Sequence, residues 1–133
     1  MSAQSGYKVV AVESSPKALE TGKGRIDSSL DKLLAKAIKK GDMTTAAAAE
    51  SKAKTMNQIT FSVEQTDLAN CDLIVEAIIE DINVKIPFYQ KLGGVVKPEA
   101  IFASNTSSLP ITKMAHASGR PDRFVGVLFC YFS

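Results

Sequence analysis

Three places in this chain combine residue types that could do chemistry. Glu13 follows residues 7–12, Tyr-Lys-Val-Val-Ala-Val, which are β-branched and apolar enough to be a buried strand. In dinucleotide-binding folds an acid just past such a strand accepts hydrogen bonds from the adenosine ribose hydroxyls, and its charge disfavours a 2′-phosphate. A solvated loop glutamate accounts for Glu13 equally well. Residues 72–81, Asp-Leu-Ile-Val-Glu-Ala-Ile-Ile-Glu-Asp, set Glu76 inside an apolar run and Glu80 at its carboxyl end. In an open α/β sheet that end faces the ligand crevice. The plainer role for Glu80 is a helix-start carboxylate favoured by the helix dipole. Lys85 either pairs with Glu80 across one helical turn or reaches a phosphate.

Residues 104–108, Ser-Asn-Thr-Ser-Ser, follow another short apolar run. They can be a simple helix cap, or can offer hydroxyls, an amide and free backbone N–H groups to a ligand. Ser29 and Lys36, seven residues apart, fall near one face of a lysine-bearing helix. A charged outer face explains that helix by itself; a phosphate-rich ligand would also meet it. His116 has no nucleophile at useful spacing and reads as a surface histidine late in a short helix.

These residues need elements to hold them. Strands are expected at 7–12, 59–63, 73–79, 101–104 and 124–129, and helices at 17–40, 44–56, 82–96 and 109–117, with a turn or single helical turn at 66–70. Ile26, Leu30, Leu33, Leu34 and Ala37 share one face of the first helix. Gly41 ends it, Thr44 caps the second helix, and Pro87 is tolerable only near the start of the third. Strands alternating with helices imply an α/β fold, a Rossmann-type doubly wound parallel sheet with right-handed crossovers. No domain boundary is evident within residues 1–133.

A Gly-x-Gly-x-x-Gly turn is expected about 20 residues before the ribose-binding acid. Only residues 1–12 precede Glu13, so the first strand and that turn are not in this sequence, and Gly6 lies before the wrong strand. The sheet is therefore expected to be incomplete, with neighbouring strand edges exposed.

The bulk numbers agree with one globular domain. The chain has 133 residues, 45% hydrophobic and 23% charged. A net charge of +2 is too small to argue for nucleic acid or a membrane surface. No apolar run approaches the roughly 18 residues of a membrane span, and residues 1–5 form no apolar signal core. Cys71 and Cys130 are read as buried free thiols of a reducing compartment, and a single histidine excludes a Cys/His zinc pattern.

Together these segments resemble the 3-hydroxyacyl-CoA dehydrogenase family. The matching stretches are residues 6–10 with Glu13, 28–33 (Ser-Ser-Leu-Asp-Lys-Leu), 69–81, 101–109 (Ile-Phe-Ala-Ser-Asn-Thr-Ser-Ser-Leu) and 120–126 (Arg-Pro-Asp-Arg-Phe-Val-Gly). The resemblance implies a partial NAD-binding domain over residues 1–133 with a helical-arm insertion, and NAD-dependent oxidation of an L-3-hydroxyacyl-CoA, a step of fatty-acid β-oxidation. It implies that Glu13, Glu80, Lys85 and Ser107 contribute to the cofactor site, that Ser107 also contacts substrate, and that Ser29 and Lys36 touch the CoA moiety. It implies an acyl-CoA partner, no nucleic acid and no membrane, and a mitochondrial-matrix or bacterial cytoplasmic setting.

The departures are equally specific. The family's last strand continues as His-Phe-Phe-Asn-Pro, and the general-base histidine aligns here with Leu128. The helical C-terminal domain that makes the parent family homodimeric is expected to be absent. The chain alone is accordingly expected to be inactive. A non-catalytic module that binds acyl-CoA or nucleotide, or that associates with full-length subunits, is the alternative.

Overall fold

The computed structural model describes residues 1–128. It divides into two compact units, Met1–Glu64 and a second from Gln65 onward, where the sequence shows no boundary. The five strands explain the division. β1 (Val9–Val12) pairs in parallel with β2 (Ile59–Ser62). β3 (Leu73–Glu76), β4 (Ile101–Asn105) and β5 (Phe124–Val127) form a second parallel sheet in that order. No strand hydrogen-bonds one sheet to the other among the described residues.

In the first unit, α1 (Pro16–Lys40) begins at Ser15, whose hydroxyl accepts from the Ala18 N–H at 3.3 Å, with Pro16 in the first turn. It ends at Gly41, whose φ of 80° suits a residue without Cβ. The Asp42 N–H reaches back to the Ala37 carbonyl at 3.0 Å, closing a Schellman-type cap. α2 (Thr45–Asn57) is capped by Thr44, as its sequence suggests. Lys52 of α2 lies 2.8 Å from Asp27 and 2.7 Å from Asp31, tying the two helices together. The apolar face of α1 is narrower than its periodicity implies. Leu30 and Leu34 are buried, but Leu33 is 57% exposed. A position 100° round the helix from Leu34 falls outside the stripe that α2 covers.

In the second unit, α3 (Ile82–Gly93) and α4 (Ile111–Ala117) pack beside one another on the three-stranded sheet. Tyr89, Leu92, Phe102 and Met114 have no exposed surface. Tyr89 centres an aromatic cluster, 5.7 Å from Phe102 and 4.7 Å from Phe124 between ring centroids, separations typical of favourable ring pairs.

Several boundaries differ from the sequence expectation. β3 stops at Glu76 rather than 79, because the Glu76 carboxylate accepts from the Ile78 N–H at 2.7 Å and turns the chain out of the ladder. α3 stops at Gly93 rather than 96. Beyond it the Gly93 and Val96 carbonyls are taken by Arg120 instead of by helical N–H groups. α4 starts at Ile111, with Pro110 outside the helix as its cap. β1 starts at Val9, leaving Tyr7 69% exposed. The turn at 66–70 is a 3-10 helix, Gln65–Leu68. β5 ends at Val127; the expected continuation to 129, and Cys130, lie outside the described residues.

Candidate functional site

The first unit holds Glu13, Ser29 and Lys36. Glu13 continues the β1–β2 pairing by one bond, its N–H donating to the Ser62 carbonyl at 3.1 Å. That bond places it at the carboxyl end of β1. Its side chain is exposed and accepts no hydrogen bond among the described residues. It borders an open depression of about 410 Å³ with Ser15, Lys17, Thr21, Gly22 and Arg25. An exposed carboxylate beside an open depression at a strand's carboxyl end can accept hydrogen bonds from the hydroxyls of a ligand. Lys17 and Arg25 were not singled out by sequence, since only the folding of α1 back over the strand end brings them beside Glu13. Ser29 and Lys36 are both exposed on α1, about 10 Å apart along its axis at 1.5 Å per residue.

The second unit gathers Glu80, Lys85 and Ser107. α3 carries Lys85, and Asp81 caps that helix by accepting from the Asn83 N–H at 2.8 Å. Glu80 is thus not the helix-start carboxylate. Its Oε1 accepts from the Thr106 hydroxyl and from the Ser107 N–H at 3.2 Å. Its Oε2 lies 3.1 Å from Lys85 Nζ. The Thr106 hydroxyl, then Lys85 and the Ser107 amide, hold the Glu80 carboxyl down to about 2, with burial opposing.

Lys85 is fully buried, and its ammonium has three oxygen neighbours: Glu76 Oε2 and Glu80 Oε2 at 3.1 Å and the Asn105 carbonyl at 3.0 Å. An ammonium has three donors, so none is left for a phosphate. Of its two sequence-level roles, pairing with Glu80 is the one the structure shows.

Ser104 and Asn105 are the last residues of β4, so only Thr106, Ser107 and Ser108 follow it, and the segment does not cap α4 with a side chain. Thr106 Oγ1 accepts from the Ser108 and Leu109 N–H groups at 3.3 and 3.0 Å, folding the loop on itself. Ser107 is left exposed at the carboxyl edge of the sheet, its N–H on Glu80. Such an edge is where ligands meet open α/β sheets.

Glu76 was noticed in the sequence only as a break in an apolar run. It is 3% exposed. It accepts from Tyr89 Oη at 2.9 Å and Ser104 Oγ at 2.7 Å, besides Ile78 and Lys85. An acid within a buried strand was the available signal, because a carboxylate there needs partners. Burial, chiefly, and Glu76 push the Tyr89 hydroxyl above its ordinary value, so it remains a donor. His116 is exposed in the last turn of α4, as read from sequence. Leu128 is 61% exposed. Cys71 is a half-buried free thiol. No group of three potential metal ligands occurs among the described residues, and no helix there is long and apolar enough to cross a membrane.

Comparison with known proteins gives a consistent answer. Residues 1–131 match the family model described as 3-hydroxyacyl-CoA dehydrogenase, NAD binding domain. A probable 3-hydroxybutyryl-CoA dehydrogenase of Deinococcus radiodurans is 44% identical over 129 residues, covering 97% of this chain and 43% of the relative. The mitochondrial hydroxyacyl-coenzyme A dehydrogenase of Rattus norvegicus is 37% identical over 97% of this chain and 40% of its own length. The crystal structure of (S)-3-hydroxybutyryl-CoA dehydrogenase from Ralstonia eutropha superposes with a TM-score of 0.83 at 37% identity, over 96% of this chain and 42% of that one. The chain thus spans less than half the length of these relatives. With its parallel α/β architecture, it belongs to the NAD-binding-domain family of the 3-hydroxyacyl-CoA dehydrogenases.

Proposed function

We propose that this chain is part of the NAD-binding domain of an L-3-hydroxyacyl-CoA dehydrogenase and that, by itself, it does not turn over. The observation that carries the first half is the Ser107 loop. An exposed hydroxyl stands at the carboxyl edge of the sheet, and Glu80 and Thr106 hold the backbone beneath it. Bound NAD would supply the hydride acceptor. Glu13 would accept the ribose hydroxyls. Ser107 would contact the nicotinamide side and the substrate. Glu80 would touch the cofactor through its exposed edge, and Lys85 would act through Glu80. Ser29 and Lys36 would meet the CoA phosphates.

The second half rests on Leu128, which aligns with the family's general base and cannot accept a proton. These 133 residues also contain no Gly-x-Gly-x-x-Gly turn to cradle a pyrophosphate. Homodimerisation and a mitochondrial or bacterial cytoplasmic setting belong to the proposed parent enzyme. Reduction of acetoacetyl-CoA with NADH is the test. No turnover is expected, and a rate near that of intact family members would overturn the inactive reading. Calorimetry with NAD and with acetoacetyl-CoA addresses the binding roles. Exposed, unengaged Glu13 also suits a non-catalytic nucleotide- or acyl-CoA-binding module, which would give heat with either ligand and no turnover.

A further inference from the structure

We propose that Glu76 is a positioning residue for Ser107, acting from the interior of the second unit through Lys85 and Glu80. The inference rests on the role assigned to Ser107 above, but its geometry stands without any ligand.

Every polar neighbour of the Glu76 carboxylate is a donor. Oε1 accepts from the Ile78 N–H at 2.7 Å, and Oε2 accepts from Tyr89 Oη at 2.9 Å, Ser104 Oγ at 2.7 Å and Lys85 Nζ at 3.1 Å. The site therefore calls for a side chain that accepts at both ends and donates at neither, which an ionised carboxylate does and an amide does not. Glu76 and Lys85 are both fully buried at their side chains. A buried ion pair is weak as a source of stability, since apolar residues of similar volume often do as well. Its geometry is a better reason for its presence. From Lys85 the contacts run to the Asn105 carbonyl and to Glu80 Oε2, and from Glu80 Oε1 to the Thr106 hydroxyl and the Ser107 N–H. Three elements, β3, α3 and the end of β4, thereby fix one exposed serine. The buried end is rigid because its donors come from core residues, Tyr89 and Ser104, with no exposed surface. The exposed end is the one that needs holding.

The test is amide hydrogen exchange followed by NMR on the full chain, with Glu76→Gln and Tyr89→Phe. Glutamine places an NH₂ against a donor; phenylalanine removes one donor and leaves the carboxylate. Exchange of the Ser107 amide is expected to quicken about tenfold or more in Glu76→Gln, and by less in Tyr89→Phe. The Ile101 amide, bonded to the Asp72 carbonyl at 2.9 Å in the same sheet, should keep its protection. An unchanged Ser107 amide, or an equal rise at Ser107 and Ile101, would overturn the proposal, the latter marking a general structural role. If Glu76→Gln does not fold, Tyr89→Phe decides by the same comparison. Failure of NAD or acyl-CoA to bind would count against the assigned function and leave this result standing.

Discussion

The Arg120 guanidinium lies 4.9 Å from the centroid of the Phe102 ring while it donates to main-chain carbonyls beyond the end of α3. Nη1 reaches the Lys97 carbonyl at 2.6 Å, and Nη2 reaches Gly93 at 2.8 Å and Val96 at 3.3 Å. The planar fork thus caps a helix end and stacks on the core together. Lysine carries the charge but neither the fork nor the flat face. Arg120→Lys is expected to lose about 1.5–3 kcal/mol, seen in urea unfolding as a lower midpoint with an unchanged slope. A loss below about 0.5 kcal/mol would mean that the carbonyls are as well served by water.

Two helical glycines should respond to alanine in opposite directions. A Cβ on Gly93 would stand 2.4 Å from the Ser118 carbonyl oxygen and 3.3 Å from its carbon, both main-chain atoms. α3 and α4 must part to admit it, at a cost of about 1–3 kcal/mol. A Cβ on Gly24, inside α1, meets nothing within 4 Å. Gly24→Ala should stabilise its helix by roughly 0.5–1 kcal/mol. Circular-dichroism melts of the two variants would show both signs. A neutral Gly93→Ala would contradict the close approach.

Glu80 predicts an acid-dependent contribution to stability. Its carboxyl is held at about 2 against an ordinary 4.5, first by Thr106 and then by Lys85 and Ser107. Because the folded value is the lower one, the contribution is complete above 4.5 and is lost as pH falls toward about 2. Glu80→Gln should therefore flatten the stability–pH curve in that window. Since the side chain is 39% exposed, added salt should shrink the effect. A carboxyl-carbon NMR titration placing Glu80 at an ordinary value would refute this.

Glu13 should separate binding from stability. Exposed and without a partner on its carboxylate among the described residues, it should tolerate Glu13→Ala within about 0.5 kcal/mol. If it accepts the ribose hydroxyls, the same change should weaken any measurable heat of NAD binding. A large loss of stability would instead assign Glu13 a structural role.

Most elements of this fold were readable from local chemistry. Ser15 with Pro16, Thr44 and Gly41 mark helix ends by mechanisms that need only neighbouring residues. Parallel pairing followed from the alternation of strands and helices. Two of the misread boundaries have a different cause. β3 ends at Glu76 because that carboxylate takes an N–H two residues on, and α3 ends early because Arg120, 27 residues from Gly93, takes its carbonyl. A distant or buried competitor for a backbone group leaves no trace in local periodicity.

The same division runs through the candidate site. Residue order by itself determined the family, the α/β class, the carboxyl-edge placement of Glu13 and of the Ser107 loop, and the leucine at 128, because strand ends and their flanking residues are set by local pattern. Tertiary structure decided what those residues touch. It settled Lys85 on the pairing with Glu80, as a buried ammonium with three acceptors, and it moved Glu80 from a helix start to the support of Ser107. It also made Glu76, an apparent interruption of a strand, the centre of a donor-only cluster. Hydrogen-bond capacity is short-ranged and saturable, so its allocation depends on which side chains the fold brings within about 3 Å, and that is a property of the packed molecule.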